Sequence, residues 1–249
     1  MKRRLVVIPT YNEASNISAL LERIFDAIYG CEVLVVDDGS PDHTAEICKN
    51  LQSKYQKLHI MERKSKEGIG SAYRAGFTWG LDRDFDEIIE MDADGSHQVD
   101  DLLRMIDVKS ESSDVGLVIG SRWIKGGATE NWSRGRELLS RVANRYVRVM
   151  LGMGVHDSTS GFRIYSDNAL RKIDFNRIRS EGYSFQIEMT RAAHQSGTLI
   201  MEVPITFKER ENGVSKMSKA IVREAMLLVT AWGLKRLLPF KKSSKRTSK

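Results

Sequence analysis

The chain has 249 residues, 41% of them apolar and 29% charged. That is enough for a sizeable core and excludes a fibrous, collagen-like or wholly disordered protein. The net charge of +6 is local: the last fifteen residues hold seven cations and no acid, so the rest of the chain sums to −1 and offers nucleic acid no broad basic face.

Leu5 to Ile8 is a short apolar run ended by Pro9. A secretory signal needs an apolar region of about 7–15 residues, so none is expected here. Glu13 to Tyr29 carries Ile17, Leu20, Leu21, Ile24 and Ile28 at helical spacing. Glu32 to Val36 is a second buried run, closed by the turn chemistry of DDGSPD. The pattern then predicts a helix over Thr44 to Tyr55, a strand over Leu58 to Met61, and a glycine-rich turn feeding a helix over Gly68 to Leu81. Glu87 to Met91 is a strong strand ended by DADGSH. Leu102 to Lys109 is helical, and Val115 to Ile119 is a further strand ended by Gly120, Ser121 and Arg122.

The second half is less regular. Arg136 to Met150 predicts a helix, LGMGVHDSTSGFRIY a loop, Tyr183 to Ser196 a helix and Thr198 to Phe207 a strand. KERENGVSKMS is a polar loop. Ala220 to Leu238 is helical and apolar on nearly every side, so part of it must be covered. Its most apolar stretch, residues 225–234, is half of the roughly 20 residues that span a bilayer, and no integral membrane segment is expected. Cys31 and Cys48 lack metal-ligand spacing and fit a reduced, cytosolic setting.

Strand–helix alternation with runs this apolar predicts an α/β fold: a mostly parallel central sheet flanked by helices on both faces. Ligands bind such sheets beyond the carboxyl ends of the strands. The polar residues fall at those ends: Thr10 to Glu13, Asp37 and Asp38, Asp92 and Asp94, Ser121 and Arg122. Four charged strand ends in one plane make one site.

Asp92-Ala93-Asp94 places two hard oxygen ligands close together at the end of a strand, which suits Mg²⁺ or Mn²⁺. The alternative is an Asx-rich turn that caps the next helix. Asp37 and Asp38 form a second acidic strand end, able to accept from ribose hydroxyls or base N–H groups. Gly68-Ile69-Gly70 is no dinucleotide fingerprint, because Tyr73 stands where a third glycine belongs. Neither a phosphate-binding G-x-x-x-x-G-K-[ST] loop nor a G-x-S-x-G elbow occurs. The histidines, His97 and His156 included, read as surface or loop residues rather than bases. Arg122 at a strand end, Arg134 and Arg136 at a helix start, and Arg210 and Lys216 around a glycine loop provide charge for phosphates.

Six segments occur in order: PTYNE at 9–13, DDGSPD at 37–42, MDADGSH at 91–97, GSR at 120–122, DSTSGFR at 157–163 and EVPITF at 202–207. Together they resemble the polyprenol-phosphate mannosyltransferases, that is, the dolichol-phosphate mannose synthases and their bacterial counterparts. These are inverting glycosyltransferases of the GT-A fold. The resemblance covers about residues 4–216. It implies a catalytic domain over 1–217, an apolar or amphipathic helix over 218–238 and a basic, disordered tail over 239–249.

The resemblance also implies roles. Pro9, Tyr11, Glu13, Val36 and Asp38 would line the nucleotide pocket, with Asp92 and Ala93 at the diphosphate. Asp94 would hold the metal, helped by Asp92 and Ser96; some relatives carry Gln where Ser96 stands, which leaves the choice of metal open. Arg122, Arg210 and Lys216 would meet donor or acceptor phosphates, and Arg136 the acceptor phosphate. The implied partners are GDP-mannose and a polyprenyl phosphate at the cytoplasmic face of a membrane, with the C-terminus on the lipid surface or on a membrane-embedded subunit. Rival readings are a UDP-glucose-dependent polyprenyl-phosphate glucosyltransferase and a non-catalytic nucleotide-sugar-binding module.

Overall fold

A computed structural model describes residues 2–174, 177–209 and 219–237. Its central sheet begins with β1 (Arg4–Thr10), β2 (Glu32–Asp37) and β3 (Leu58–Glu62), joined by helices α1 (Ile17–Ala27) and α2 (Thr44–Leu51). Helix α3 (Ile69–Leu81), β4 (Glu87–Glu90), α4 (Val99–Glu111) and β5 (Val115–Ser121) complete the first half. The second half adds β6 (Ala128–Glu130), α5 (Arg134–Leu151), β7 (Arg163–Ser166) and α6 (Asp167–Arg171). It ends with α7 (Gly182–Gln195), β8 (Leu199–Pro204), β9 (Thr206–Lys208) and α8 (Lys219–Leu237).

The strand order is β3-β2-β1-β4-β7-β5-β8, and only β7 runs antiparallel to its neighbours. The apolar runs are continuous because both faces are covered. On β1, Val6 and Ile8 pack with Leu20, Ile24 and Leu102 from α1 and α4. Leu5 and Val7 pack on the other face with Tyr73, Phe77 and Phe185 from α3 and α7. Burying each such side chain contributes about 1.5–3 kcal/mol. Helix α3 comes very close to the sheet: a Cβ at Gly76 would lie 2.4 Å from Val7 Cγ1, so only glycine fits there.

Three sequence expectations change. The loop read over 151–165 contains β7, which inserts between β4 and β5. Its strand pattern is masked by Arg163, a charged residue that is fully buried. The strand read over Thr198 to Phe207 breaks at Ile205, and β9 leaves the main sheet to pair with β6. The helix expected from Glu13 starts only at Ile17. The preceding turn is held from outside the helix, with Glu13 N donating to Thr44 Oγ1 and Ala14 N to Asp42 Oδ2.

Helix α8 lies on α5 and α7, where Val229 packs with Val147, Leu151 and Ile187. Tyr146 and Thr230 share a hydroxyl hydrogen bond of 2.6 Å across that contact. One side of the apolar helix is thereby covered. Met226, Leu227, Leu234 and Leu237 stay exposed, as do Leu138, Leu139, Val142 and Val149 on α5. No helix among the described residues is long and apolar enough to cross a membrane.

Candidate active site

Beyond the carboxyl ends of β1, β2, β4 and β5 opens a cleft of about 450 Å³. Pro9, Tyr11, Glu13, Asp38, Asp92, Ala93, Asp94, Arg122 and Arg136, all expected from the sequence, line it together. Two expected residues do not. Val36 is fully buried in the core beneath α3. Ser96 is also fully buried, its hydroxyl has no hydrogen-bond partner, and it is not part of the cleft wall. Arg210 and Lys216 lie outside the described residues.

The two acidic strand ends divide their labour. Asp37 accepts from Thr10 Oγ1 at 2.8 Å and from Ser40 N and Oγ at 2.9 and 2.6 Å. Its carboxylate is spent tying the ends of β1 and β2 together. Asp38 faces the cleft and pairs with Arg63 Nη1 at 2.9 Å. Beside it the Lys66 ammonium sits 4.0 Å from the centre of the Tyr11 ring.

The DADGSH segment forms an Asx turn but does not cap the next helix, whose N-cap is Gln98. Asp94 Oδ1 accepts from Ser96 N at 3.0 Å, an Asx turn, and Asp94 still lines the cleft. Asp92 Oδ1 accepts from the Tyr73 hydroxyl at 3.0 Å, and Asp92 N donates to His97 Nδ1 at 3.1 Å. His97, expected as a surface or loop residue, lies in the loop but is buried, stacked on Phe162 with ring centres 4.5 Å apart. Burial holds its pKa below the usual histidine range. A neutral ring that accepts at Nδ1 positions the acidic segment.

The two aspartates fit a hard divalent cation, as an incomplete oxygen set that a diphosphate would complete. Among the described residues no group of three or more Cys, His, Asp or Glu forms a closed metal cage. The thiols of Cys31 and Cys48 are pushed up by burial to about 11 and about 12, so both stay protonated and take no part.

Beneath the acidic segment lies a buried tier that the sequence did not disclose. Glu90 is fully buried, and burial pushes its pKa up to about 7 against the pull of Arg163. Gln186 on α7 donates to Glu90 at 2.7 Å. Arg163 donates to the carbonyls of Ser160 and Ser158, at 2.7 and 2.9 Å, and so shapes the cleft-lining loop of Thr159, Ser160 and Gly161.

The basic wall is built from two pairs. Arg122 is clamped by Asp157 through Nε and Nη2, each at 2.7 Å, and its Nη2 also donates to Thr159 Oγ1 at 2.9 Å. Burial opposes both charges, yet each more than offsets it for the other: Asp157 is held below the carboxylate range and Arg122 above its usual value. Arg136 pairs with Glu209 at 2.5 Å and lies 3.9 Å from the centre of Trp132. Ser133 caps α5 by accepting from Arg136 N, which fixes this arginine at the first turn. Trp132, Tyr183 and Glu209 gave no motif signal in the sequence, and the DSTSGFR segment that Asp157 opens did not disclose its pairing with Arg122. Glu181 also escaped it; its carboxylate accepts from Gly70 N, in the first turn of α3, at 2.7 Å.

A second, apolar groove of about 250 Å³ opens from the basic wall between α5, α7 and α8. Leu139, Val142, Val147, Ile187, Met226 and Val229 line it. Arg122, Trp132, Arg136, Thr159 and Tyr183 belong to both cavities.

Comparison with known proteins agrees with this architecture. The family model described as glycosyl transferase family 2 matches residues 5–174. A polyprenol monophosphomannose synthase of Mycolicibacterium smegmatis is 47% identical over 235 residues, covering 94% of this chain and 88% of that protein. An undecaprenyl-phosphate mannosyltransferase of Micrococcus luteus is 46% identical over 232 residues, covering 93% and 94%. Among solved structures, a glucosyl-3-phosphoglycerate synthase of Mycobacterium tuberculosis, in complex with Mn²⁺, uridine diphosphate and phosphoglyceric acid, superposes with a TM-score of 0.69. That match has 18% identity and covers 93% of this chain and 78% of the other, so it bears on the fold alone. The family match, the two relatives and the sheet order lead to one assignment: the chain belongs to glycosyl transferase family 2 and has the GT-A fold.

Proposed function

We propose that this protein transfers mannose from GDP-mannose to a polyprenyl monophosphate with inversion, giving polyprenyl-phosphate mannose and GDP. The observation that carries the reading is the junction of the polar cleft with the apolar groove at Arg122 and Arg136. A lipid phosphate needs both: fixed cations for the head and an apolar channel for the tail. The two mannosyltransferase relatives support the same reading.

The nucleoside end is held between Tyr11, Glu13 and Asp38, and the diphosphate lies against Asp92, Ala93 and Asp94. Asp92 and Asp94 would hold Mg²⁺ or Mn²⁺, which when bound supplies charge neutralisation for the leaving diphosphate. The acceptor phosphate sits at Arg136, from which it displaces Glu209. Arg122 is neutralised by Asp157, so it contributes fixed N–H donors more than net charge. A lipid monophosphate is largely ionised near neutrality, with a second pKa of roughly 6, and attacks without a base. One of its oxygens bonds to the anomeric carbon as the bond from that carbon to the β-phosphate oxygen breaks. Alignment and fixed dipoles do most of the work. Arg210 and Lys216, outside the described residues, would meet the donor or acceptor phosphates.

The domain spans 1–217, and the exposed apolar residues of α5 and α8, with the basic tail 239–249, hold it on the cytoplasmic face of a membrane. The test is label transfer from a panel of nucleotide sugars to polyprenyl phosphate in detergent, with and without Mg²⁺ or Mn²⁺. Metal-dependent labelling from GDP-mannose is expected. Labelling only from UDP-glucose would replace the sugar, and nucleotide-sugar binding without labelling would leave a binding module.

A further inference from the structure

Helix α7 separates the two cavities, and consecutive residues face opposite sides: Gln186 lines the polar cleft and Ile187 the apolar groove. Gln186 is 5% exposed, and its Nε2 donates to Glu90 Oε2 at 2.7 Å. While ionised, Glu90 accepts and does not donate, so in that state the bond turns the amide nitrogen of Gln186 toward it. The other end, Oε1, is buried with no hydrogen-bond partner in the protein. Buried acceptors left unmet are rare in folded proteins.

Gly161 borders the same side chain. A Cβ at this position would lie 3.4 Å from Gln186 Nε2 and 3.8 Å from both carboxylate oxygens of Asp92. The bare backbone leaves room between the acidic segment and α7. An unmet acceptor on a side chain that lines the cleft calls for a ligand with a hydroxyl donor.

We propose that Gln186 reads one hydroxyl of the transferred sugar, and that Glu90 is the positioning residue that aims its amide. The proposal rests on the nucleotide-sugar reading above. With the nucleoside against Tyr11 and Asp38 and the lipid in the groove, the space left for the hexose is bounded by Asp92, Gly161, Tyr183 and Gln186. A hydroxyl that donates to Oε1 completes the chain from Glu90 through the amide to the sugar. Sites built to bond a hydroxyl reject the analogue that lacks it far more strongly than sites of shape alone.

The experiment crosses enzyme variants with donor analogues. GDP-mannose deoxygenated in turn at C2, C3, C4 and C6 is compared in the wild type and in Gln186→Met. One analogue is expected to lose about 100-fold or more in kcat/KM with the wild type. Gln186→Met is expected to lose a similar factor on GDP-mannose and to show no further loss with that analogue. Affinity for GDP alone stays within about twofold. Gln186→Asn keeps the amide but withdraws it by one methylene, and is expected to show the same coupling. Glu90→Gln keeps an acceptor for Nε2 and retains the preference among analogues, whereas Glu90→Leu loses it. Equal deoxygenation penalties in wild type and Gln186→Met overturn the proposal, and so does a parallel fall in GDP affinity. If the wild type transfers a different sugar, the mannose reading fails by itself. The same deoxygenation series on that sugar then decides the role of Gln186.

Discussion

Replacing Asp157 by Asn probes the joint between the two cavities. Asp157 is fully buried and takes three hydrogen bonds from Arg122, through its backbone N, Nε and Nη2, at 2.7–3.0 Å. The substitution leaves a guanidinium that is 4% exposed without its counter-charge. Removing one partner of a buried pair costs about 3–5 kcal/mol. The Trp123, Trp132 and Phe207 rings, whose centres lie 5.3–5.5 Å from the guanidinium, attract it before and after the change alike and so do not offset that loss. Urea unfolding followed by tryptophan fluorescence reads it directly. The double variant Arg122→Met with Asp157→Leu removes both charges and is expected to regain most of the stability, because apolar residues of similar volume replace buried pairs at little cost. It is also expected to transfer no sugar, since the donor atoms at the joint are gone. The pair has a pH signature too. Asp157 is held below the carboxylate range, so its contribution is complete above the unfolded pKa of about 3.9 and is lost as pH falls through the lower folded value. A double variant that is as unstable as Asp157→Asn, or one that keeps full activity, would refute the reasoning.

Asp94→Ala is expected to lower turnover at least 1,000-fold and to make GDP binding independent of Mn²⁺, both readable by calorimetry and label transfer. Tyr73→Phe removes the hydroxyl that donates to Asp92 at 3.0 Å. Losing that support is expected to weaken the apparent Mn²⁺ affinity about 10-fold, measured by titrating activity with metal, and to leave thermal stability within about 1.5 kcal/mol. Leu138→Glu with Leu227→Glu changes two residues that are 64% and 66% exposed and lie outside the groove. Co-sedimentation with anionic vesicles should fall several-fold while transfer in detergent is retained; unchanged sedimentation would remove these helices from the membrane contact.

What the sequence disclosed, and what it hid, follows from where the chemistry sits. The first four parallel strands were legible because burial on both faces makes them continuous apolar runs, and each ends in polar residues that water or ligand must meet. β7 was not, because Arg163 sits inside it. A buried arginine satisfied by the Ser158 and Ser160 carbonyls and by Tyr165 reads in sequence like a loop cation. The same limit applies to Val36 and Ser96. Both lie next to motif residues in sequence, but strand alternation turns Val36 into the core, and the turn at Gly95 turns Ser96 away from the cleft.

Three pairings missed at the site share one property: each joins residues distant in sequence. Asp157 reaches back 35 residues to Arg122, Glu209 reaches 73 to Arg136, and Gln186 reaches 96 to Glu90. Spacing within a motif carries no trace of such pairs. The apolar groove is the clearest case. It needs Leu139 and Val142 of α5, Ile187 of α7 and Met226 of α8, none of which belongs to a motif. What the sequence did contain was an apolar excess on α8 with no stated cover. The fold resolves it: part of that excess packs on α5 and α7, part lines the groove, and the rest faces outward beside the groove's mouth. A soluble donor and a lipid-borne acceptor need entrances of opposite polarity. Arg122 and Arg136 line both cavities, and on the proposed reading this joint is where the two substrates would meet.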